Sequence, residues 1–182
     1  MSDAEPITNG HSDTKIEDAR IGYQVAIGLW TYEGEQNWAR FNVMLIANSI
    51  IFAILGLVVT SQNPKQSISL VMSIVGTILC VMWFLITKRG FDYQNYYVLS
   101  ARELEERFFS GVIKTSSRGG TFADGHSVTL DIDGKPRTLQ MSWWSRRASA
   151  GDISLFVILL FTIVYVLAFL QAVGVFNYEC GA

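Results

Sequence analysis

The chain has 182 residues, of which 50% are apolar and only 16% are charged. About a quarter of an ordinary soluble domain is charged. The deficit here is concentrated in three segments without Asp, Glu, Lys, Arg or His, namely 41–61, 68–87 and 153–176. Each is long enough to cross a hydrocarbon core of about 30 Å as a helix. A soluble enzyme is therefore excluded, and the net charge of −2 provides no basic field for nucleic acid.

Two segments precede the first of these spans. Residues 1–18 are polar and lack an apolar run, so they predict a disordered tail. Residues 19–40 carry apolar side chains at helical spacing and predict an amphipathic helix. Trp30 and Trp38 suit the headgroup layer, where an apolar ring with one N–H group is stable. This helix lies on the membrane or packs on the cytosolic domain; a gating or ligand-sensing element is the alternative.

The first two spans form a hairpin of helices. The first span, 41–61, and the second, 68–87, are separated by only six residues. A link this short predicts antiparallel neighbours. Lys88 and Arg89 end the second span, and we expect them to lie at the membrane surface.

A polar insert, 88–152, follows the second span. Its first part predicts a helix over about 91–110. The Gly- and Ser-rich stretch 115–125 predicts a flexible loop. Alternating apolar residues on both sides of an Asp-Gly-Lys-Pro sequence predict a β-hairpin over about 128–141.

Two registers are open to this hairpin. A two-residue turn at Asp133-Gly134 pairs Leu130 with Arg137, whereas a four-residue loop pairs Leu130 with Leu139. We favour the four-residue loop because apolar partners then share one face.

The insert ends in a group of tryptophans and arginines. We expect this group to anchor the chain at the membrane surface. It could also attract anionic lipid. The third span, 153–176, begins just after it, and 177–182 form a short tail on the opposite side. The anchor comprises Trp143, Trp144, Arg146 and Arg147.

Basic residues predict the orientation. Of the 14 Lys and Arg residues, three precede the first span, one lies in the short link, ten lie in the insert and none follows the third span. Three spans place the N-terminus and the insert on the same side. The positive-inside rule places both in the cytosol and the C-terminus outside, in the periplasm.

Residues that could support catalysis are few. His126 has carboxylates nearby but no second histidine within the insert. The glycines at 119, 120 and 125 do not fit a phosphate-binding loop. Cys80 and Cys180 form no metal-binding motif and are not expected to pair. We therefore expect a protein that is not an enzyme and that uses neither a cofactor nor a metal.

Small and polar residues recur along the first two spans. Such stripes allow close helix approach and hydrogen bonding between helices. They serve either to pack the two spans together or to form a self-association face or a wet lumen. A lumen requires both stripes to face it. The candidates are Asn42, Asn48, Ser49 and Gly56 in the first span and Ser69, Ser73, Gly76 and Thr77 in the second.

Two short stretches resemble a known family. Glu35-x-x-Trp38-x-x-Phe41-Asn42 runs into Ala47-Asn48-Ser49, and Thr87-Lys88-Arg89-Gly90 precedes Ala101-Arg102-Glu103-Leu104-Glu105. Over residues 25–107 this pattern is similar to small bacterial membrane proteins of the SLATT kind. The resemblance implies an amphipathic helix, a tight hairpin of spans and a long cytosolic helix. It also implies a pore-forming effector of bacterial conflict systems, although the third span and the hairpin depart from the two-span plan.

The sequence thus predicts an all-α protein of the bacterial inner membrane with three transmembrane helices and a small cytosolic α+β insert. Three spans bury little surface on their own, so a homo-oligomer or a complex with a partner membrane subunit is expected. The leading hypothesis for function is an oligomeric, pore-forming protein. The alternative is a scaffold subunit that docks a cytosolic partner through residues 90–147.

Overall fold

The computed structural model describes residues 9–61, 66–109 and 112–175. Three of its helices, Thr14–Val59, Gln66–Phe109 and Ala150–Ala172, are long and apolar enough to cross a membrane. A two-stranded antiparallel sheet is the β-structure of the described residues. The predicted fold class is therefore confirmed. In chain order the elements are α1 (Asn9–Val59), α2 (Gln66–Leu104) with a π-helical extension (Glu105–Phe109), α3 (Thr115–Ala123), β1 (Val128–Ile132), β2 (Lys135–Leu139), α4 (Trp143–Arg147) and α5 (Ala150–Ala172).

Helix α1 differs from the sequence prediction at two boundaries. It is one helix of 51 residues, about 76 Å at 1.5 Å per residue. It begins at Asn9, inside the predicted disordered tail, and it does not break between the predicted pre-membrane helix and the first span. No proline interrupts this stretch, and extending an existing helix requires no new nucleation. The remainder of the predicted tail, 1–8, lies outside the described residues.

Helix α2 likewise joins segments that were predicted separately. Its 39 residues contain the second span and much of the helix expected over 91–110. The centre of the short link, 62–65, and the predicted C-terminal tail, 177–182, lie outside the described residues.

Among the described residues, one compact unit comprises 35–61, 66–91 and 150–175. Its buried core draws side chains from all three long helices: Leu55 of α1, Cys80 and Trp83 of α2, and Ile158 and Tyr165 of α5. The Trp83 ring lies 5.3 Å from the ring of Phe41 and 6.3 Å from that of Phe161. Aromatic pairs at such separations are worth about 0.5–1.5 kcal/mol beyond the area that they bury. This aromatic contact joins the three helices.

The other compact unit comprises, of the residues described, 9–34, 92–109 and 112–149. Here the expectation of a flexible loop over 115–125 is wrong, because Thr115–Ala123 form helix α3. The helix ends in a Schellman motif: the backbone N–H of His126 donates to Thr121 O at 3.1 Å and that of Gly125 to Phe122 O at 3.0 Å. Gly125 has a φ of 86°, the left-handed conformation that this motif needs and that glycine adopts without strain.

The preferred register of the hairpin is also wrong. Strand β1 pairs Val128 with Leu139 and Leu130 with Arg137. This is the register of the two-residue turn. Asp133 and Gly134 have φ values of 55° and 69°, as the tight turn that matches the twist of a hairpin requires. The strands are largely exposed, so burial of apolar pairs exerts little control and the turn residues determine the register.

Candidate functional site

The small-residue stripe of α2 is covered within the chain. Ser69 and Ser73 are buried, and the Ser73 hydroxyl donates to the Ser69 carbonyl at 2.8 Å. The Thr77 hydroxyl continues the series by donating to the Ser73 carbonyl at 2.8 Å. At Gly76 a Cβ atom would lie only 2.7 Å from ring atoms of Tyr165, so the absent side chain lets the tyrosine ring rest on the backbone of α2. Ser69, Ser73 and Gly76 therefore pack helices together, while Thr77 is half-buried. The expectation that a lumen is faced by both stripes does not agree with this burial, which leaves the stripe of α1 as the one that a lumen could meet.

Asn48 connects the three helices through hydrogen bonds. It is completely buried, and its Nδ2 donates to the Met44 carbonyl at 2.8 Å. The Cys80 thiol donates to Asn48 Oδ1 at 3.4 Å, and the Tyr165 hydroxyl donates to the Asn48 backbone carbonyl at 2.9 Å. Asn48 was among the residues singled out from the sequence. Tyr165 stands out there as one of the few polar residues of the third span, but its contact with Asn48 was not predicted, because that span was interpreted as lipid-facing. The Asn48 amide, the Cys80 thiol and the Tyr165 hydroxyl thus find hydrogen-bond partners within the chain, as hydrocarbon surroundings require.

The small-residue stripe of α1 is exposed. Asn42, Ser49 and Gly56, spaced by seven residues, all lie on the surface, and so does Ala53, which sequence reasoning missed although it lies four residues after Ser49. A Cβ atom at Gly56 would meet no atom within 4 Å. The amide of Asn42 makes no hydrogen bond to any residue that the structure describes. We call Asn42, Ser49, Ala53 and Gly56 the α1 stripe.

A second exposed stripe lies beside the α1 stripe. Val43, Ile50 and Leu57 each follow a member of the α1 stripe by one residue, which places them about 100° further round the helix. Their exposed fractions are 65%, 56% and 73%. The α1 stripe is thus mostly small and partly polar, interrupted by Ile46, which is 61% exposed, while the adjacent face is large and aliphatic. The aliphatic face suits lipid tails; the α1 stripe suits water or a second protein surface.

The predicted membrane anchors are exposed on their helices. In α4 the rings of Trp143 and Trp144 meet edge to face at 4.6 Å, and the Arg147 guanidinium lies 4.6 Å from the centre of the Trp143 ring. Arg146 packs against Gly125, where a Cβ atom would collide with its side chain. The role of these residues at a membrane surface stays a prediction. The other anchors, Trp30, Trp38, Lys88 and Arg89, are exposed on α1 and α2.

A buried carboxylate holds α3 in place, and sequence reasoning missed it. Glu105 is 1% exposed and lies in the π-helical segment. Its two oxygens accept hydrogen bonds of 2.8 Å from the backbone N–H groups of Ser116 and Ser117 in the first turn of α3. The hydroxyl of Tyr23 in α1 donates to Glu105 Oε1, also at 2.8 Å. The carboxylate therefore occupies the positive end of α3, where anions are stabilised.

These hydrogen bonds determine the pKa of Glu105. Burial by itself would raise the pKa of this carboxyl, but the donors of Ser116, Ser117 and Tyr23 outweigh it and lower the pKa below the ordinary value of 4.5. Burial, together with the neighbouring Glu105 carboxylate, raises the pKa of Tyr23. Arg102 completes the cluster: its Nε donates to the Ser116 carbonyl at 3.1 Å, and Gly120 leaves the space that its guanidinium occupies.

Replacing Glu105 by Gln is expected to loosen α3. The amide offers one acceptor where the carboxylate offers two, so a buried backbone N–H loses its partner at a cost of about 1–3 kcal/mol. Hydrogen exchange at the amides of α3 should then be roughly ten- to a hundredfold faster. Glu106→Gln, a change at an exposed neighbour, is the control, and equal exchange in the two variants would contradict this role of Glu105.

The same contact predicts a dependence on pH. Because the folded-state pKa of Glu105 is lowered, its stabilising contribution is complete above the unfolded value and is lost as pH falls through the folded value. We expect the hydrogen exchange of wild-type α3 to approach that of Glu105→Gln in this acidic range. A wild-type protein whose α3 stays equally protected there would contradict the assignment.

The histidine and glycines singled out in the insert form no metal site among the described residues. His126 is exposed, and within the described ranges no three His, Cys, Asp or Glu side chains gather as a metal would require. The glycines at 120 and 125 serve the packing of Arg102 and Arg146. The candidate functional site is therefore the α1 stripe.

Comparisons with known proteins agree with a membrane assembly. A sequence model described as the octameric membrane protein family (8xMP) matches residues 22–174. No curated protein and no solved structure matches the chain. The family match covers the resembling stretch 25–107 but does not confirm the SLATT-type resemblance.

Proposed function

This chain belongs to the octameric membrane protein family and is an oligomeric membrane protein; we propose that eight copies surround a pore lined by the α1 stripe. The observation that carries the proposal is the contrast between the two small-residue stripes. The stripe of α2 is covered by Tyr165, whereas that of α1 is left outside the packed helices. The three spans therefore bury the surfaces through which they pack on one another and still leave one partly polar face exposed.

The chemistry of that face favours water. An amide transferred to hydrocarbon without a hydrogen bond costs several kcal/mol, and Asn42 has no such bond within the described part of the chain. Ser49 donates its proton to the Leu45 carbonyl at 2.8 Å, but its oxygen can still accept from water. Gly56 and Ala53 add no bulk, so a lumen at their level stays open. Lipid tails would gain little from such a surface, because small residues present little apolar area.

The remaining features of the proposal follow from composition. We propose that the protein lies in the bacterial inner membrane. The distribution of Lys and Arg favours an orientation with the N-terminus and residues 88–152 in the cytosol and the C-terminus in the periplasm. We propose that it has no enzymatic activity, because the sequence carries no nucleophile-elbow, metalloprotease or phosphate-binding-loop motif.

Membrane potential tests the pore. Controlled expression of the wild type in bacteria should depolarise the inner membrane, and the double variant Ser49→Leu, Gly56→Leu should not, because two leucines would narrow and dry the lumen. Leu159→Phe with Ile163→Phe is the matched control: it also adds bulk at two exposed positions, here on α5. We expect this control to depolarise as the wild type does.

Two results would contradict the proposal. One is depolarisation by the Ser49 and Gly56 variant at the wild-type level. The other is an equal loss in the α5 control, which would show that added bulk anywhere on the spans is sufficient. Equal membrane levels of all three proteins must be established first by quantitative blotting.

A scaffold is the second candidate function. The insert carries exposed apolar side chains, with Ile132 at 44%, Leu139 at 49% and Trp144 at 77% exposure. A photo-crosslinking residue in place of Trp144 should capture a defined cytosolic protein if the insert docks one. A wild type that never depolarises the membrane but captures such a partner would favour this function.

A further inference from the structure

A groove of about 440 Å³ lies between α3 and the hairpin, entirely within the unit of 9–34, 92–109 and 112–149. Its walls are aliphatic and aromatic: Phe122 on α3 faces Val128, Leu130 and Leu139 of the hairpin. Cavities of this size hold small organic ligands. These apolar side chains lie in the polar insert and not in a membrane span.

Two cations line the same groove. Lys114 and Arg118 are exposed, and neither makes an ion pair with a residue in the described ranges. No Asp or Glu lines the groove. An apolar floor with cations on its wall and no carboxylate is complementary to a molecule that has an apolar chain and an anionic head.

Gly119 keeps the groove open. It lies on α3 between Arg118 and Phe122, it lines the groove, and a Cβ atom there would meet nothing within 4 Å. Glycine weakens a helix interior by about 1 kcal/mol relative to alanine, and no left-handed φ is found at this position. Its local conformation does not require glycine, so the absence of a side chain serves the space beside it.

We propose that this groove binds a single-chain anionic amphiphile, a fatty acid, with its alkyl chain between α3 and the hairpin and its carboxylate at Lys114 and Arg118. The volume fits one chain better than the two of a bilayer phospholipid. This site is independent of the proposed pore, and its test uses a different readout.

Photolabelling of the full-length protein in nanodiscs tests the site. The probe is a lauric acid analogue with a diazirine on its chain, and the readout is label on the Phe122 peptide relative to label on α5, which reports simple partition into the bilayer. We expect wild-type labelling of the Phe122 peptide to fall when unlabelled laurate is added but not when dodecylamine, of equal chain length and opposite charge, is added.

Variants define the groove. Gly119→Leu fills the space without touching the cations and should lower the labelling ratio roughly tenfold. Gly28→Leu, at another helical glycine with nothing within 4 Å of a Cβ atom, should leave the ratio unchanged. Lys114→Gln with Arg118→Gln should weaken competition by laurate while retaining label from the alkyl chain.

Three outcomes would overturn the assignment: equal labelling ratios in wild type and Gly119→Leu, competition by dodecylamine as strong as that by laurate, or label only on α5. A photo-crosslinking residue placed at Phe122 that joins two copies of the chain would likewise reject it and identify a second copy as the occupant.

Discussion

Gly76→Ala is expected to destabilise the packed helices by about 1–3 kcal/mol, the usual cost of overpacking a filled core. The added methyl would lie 2.7 Å from ring atoms of Tyr165. That ring is fully buried and its hydroxyl is hydrogen-bonded to Asn48, so it cannot move without breaking this bond. The destabilisation should exceed the gain in helix propensity, which is about 1 kcal/mol for alanine over glycine.

Gly56→Ala is the matched control for this prediction. It is the same substitution in a neighbouring span, but no atom lies within 4 Å of its Cβ position. We expect this variant to be as stable as the wild type or slightly more so. Unfolding titrations in mixed micelles, followed by tryptophan fluorescence, measure both. A Gly76→Ala protein as stable as Gly56→Ala would contradict the contact between Tyr165 and α2.

The architecture of the membrane part could be predicted from the sequence because its signal is local. Charge-free runs of about 20 residues report spans directly, and the three long apolar helices agree with them. The ends of the helices could not be predicted in the same way. The end of a charge-free run marks a change in solvent, but α1 continues across that change as one helix.

The errors in the insert have a different cause. The sequence over Thr115–Ala123 has the composition of a loop, and it is helical because Glu105, more than ten residues earlier, accepts hydrogen bonds from its first turn. Such a contact between distant residues leaves no local pattern. The left-handed conformations of Asp133 and Gly134 determine the hairpin register. This local signal outweighs the pairing of apolar residues because the strands are largely exposed.

The residues of the candidate site could be predicted from the sequence, but their exposure could not. Spacing identified both small-residue stripes, but a periodicity does not state which neighbour covers a face. The ring of Tyr165 covers Gly76, whereas no side chain covers Gly56 in the same way. The choice between packing and a lumen therefore needed the position of the third helix.

Cysteine accessibility measures which of the exposed faces of α1 meets water. Single cysteines at Ser49 and Gly56 are compared with cysteines at Ile50 and Leu57, each one residue later on the aliphatic face. Cys180 is replaced by Ser, and Cys80 can remain because it is 1% exposed. A membrane-impermeant methanethiosulfonate reagent is applied to intact membranes.

We expect Ser49→Cys and Gly56→Cys to react at least about tenfold faster than Ile50→Cys and Leu57→Cys, because the reactive thiolate forms in water and is suppressed in apolar surroundings. Equal rates at all four positions, or faster reaction at Ile50 and Leu57, would contradict a lumen lined by the α1 stripe.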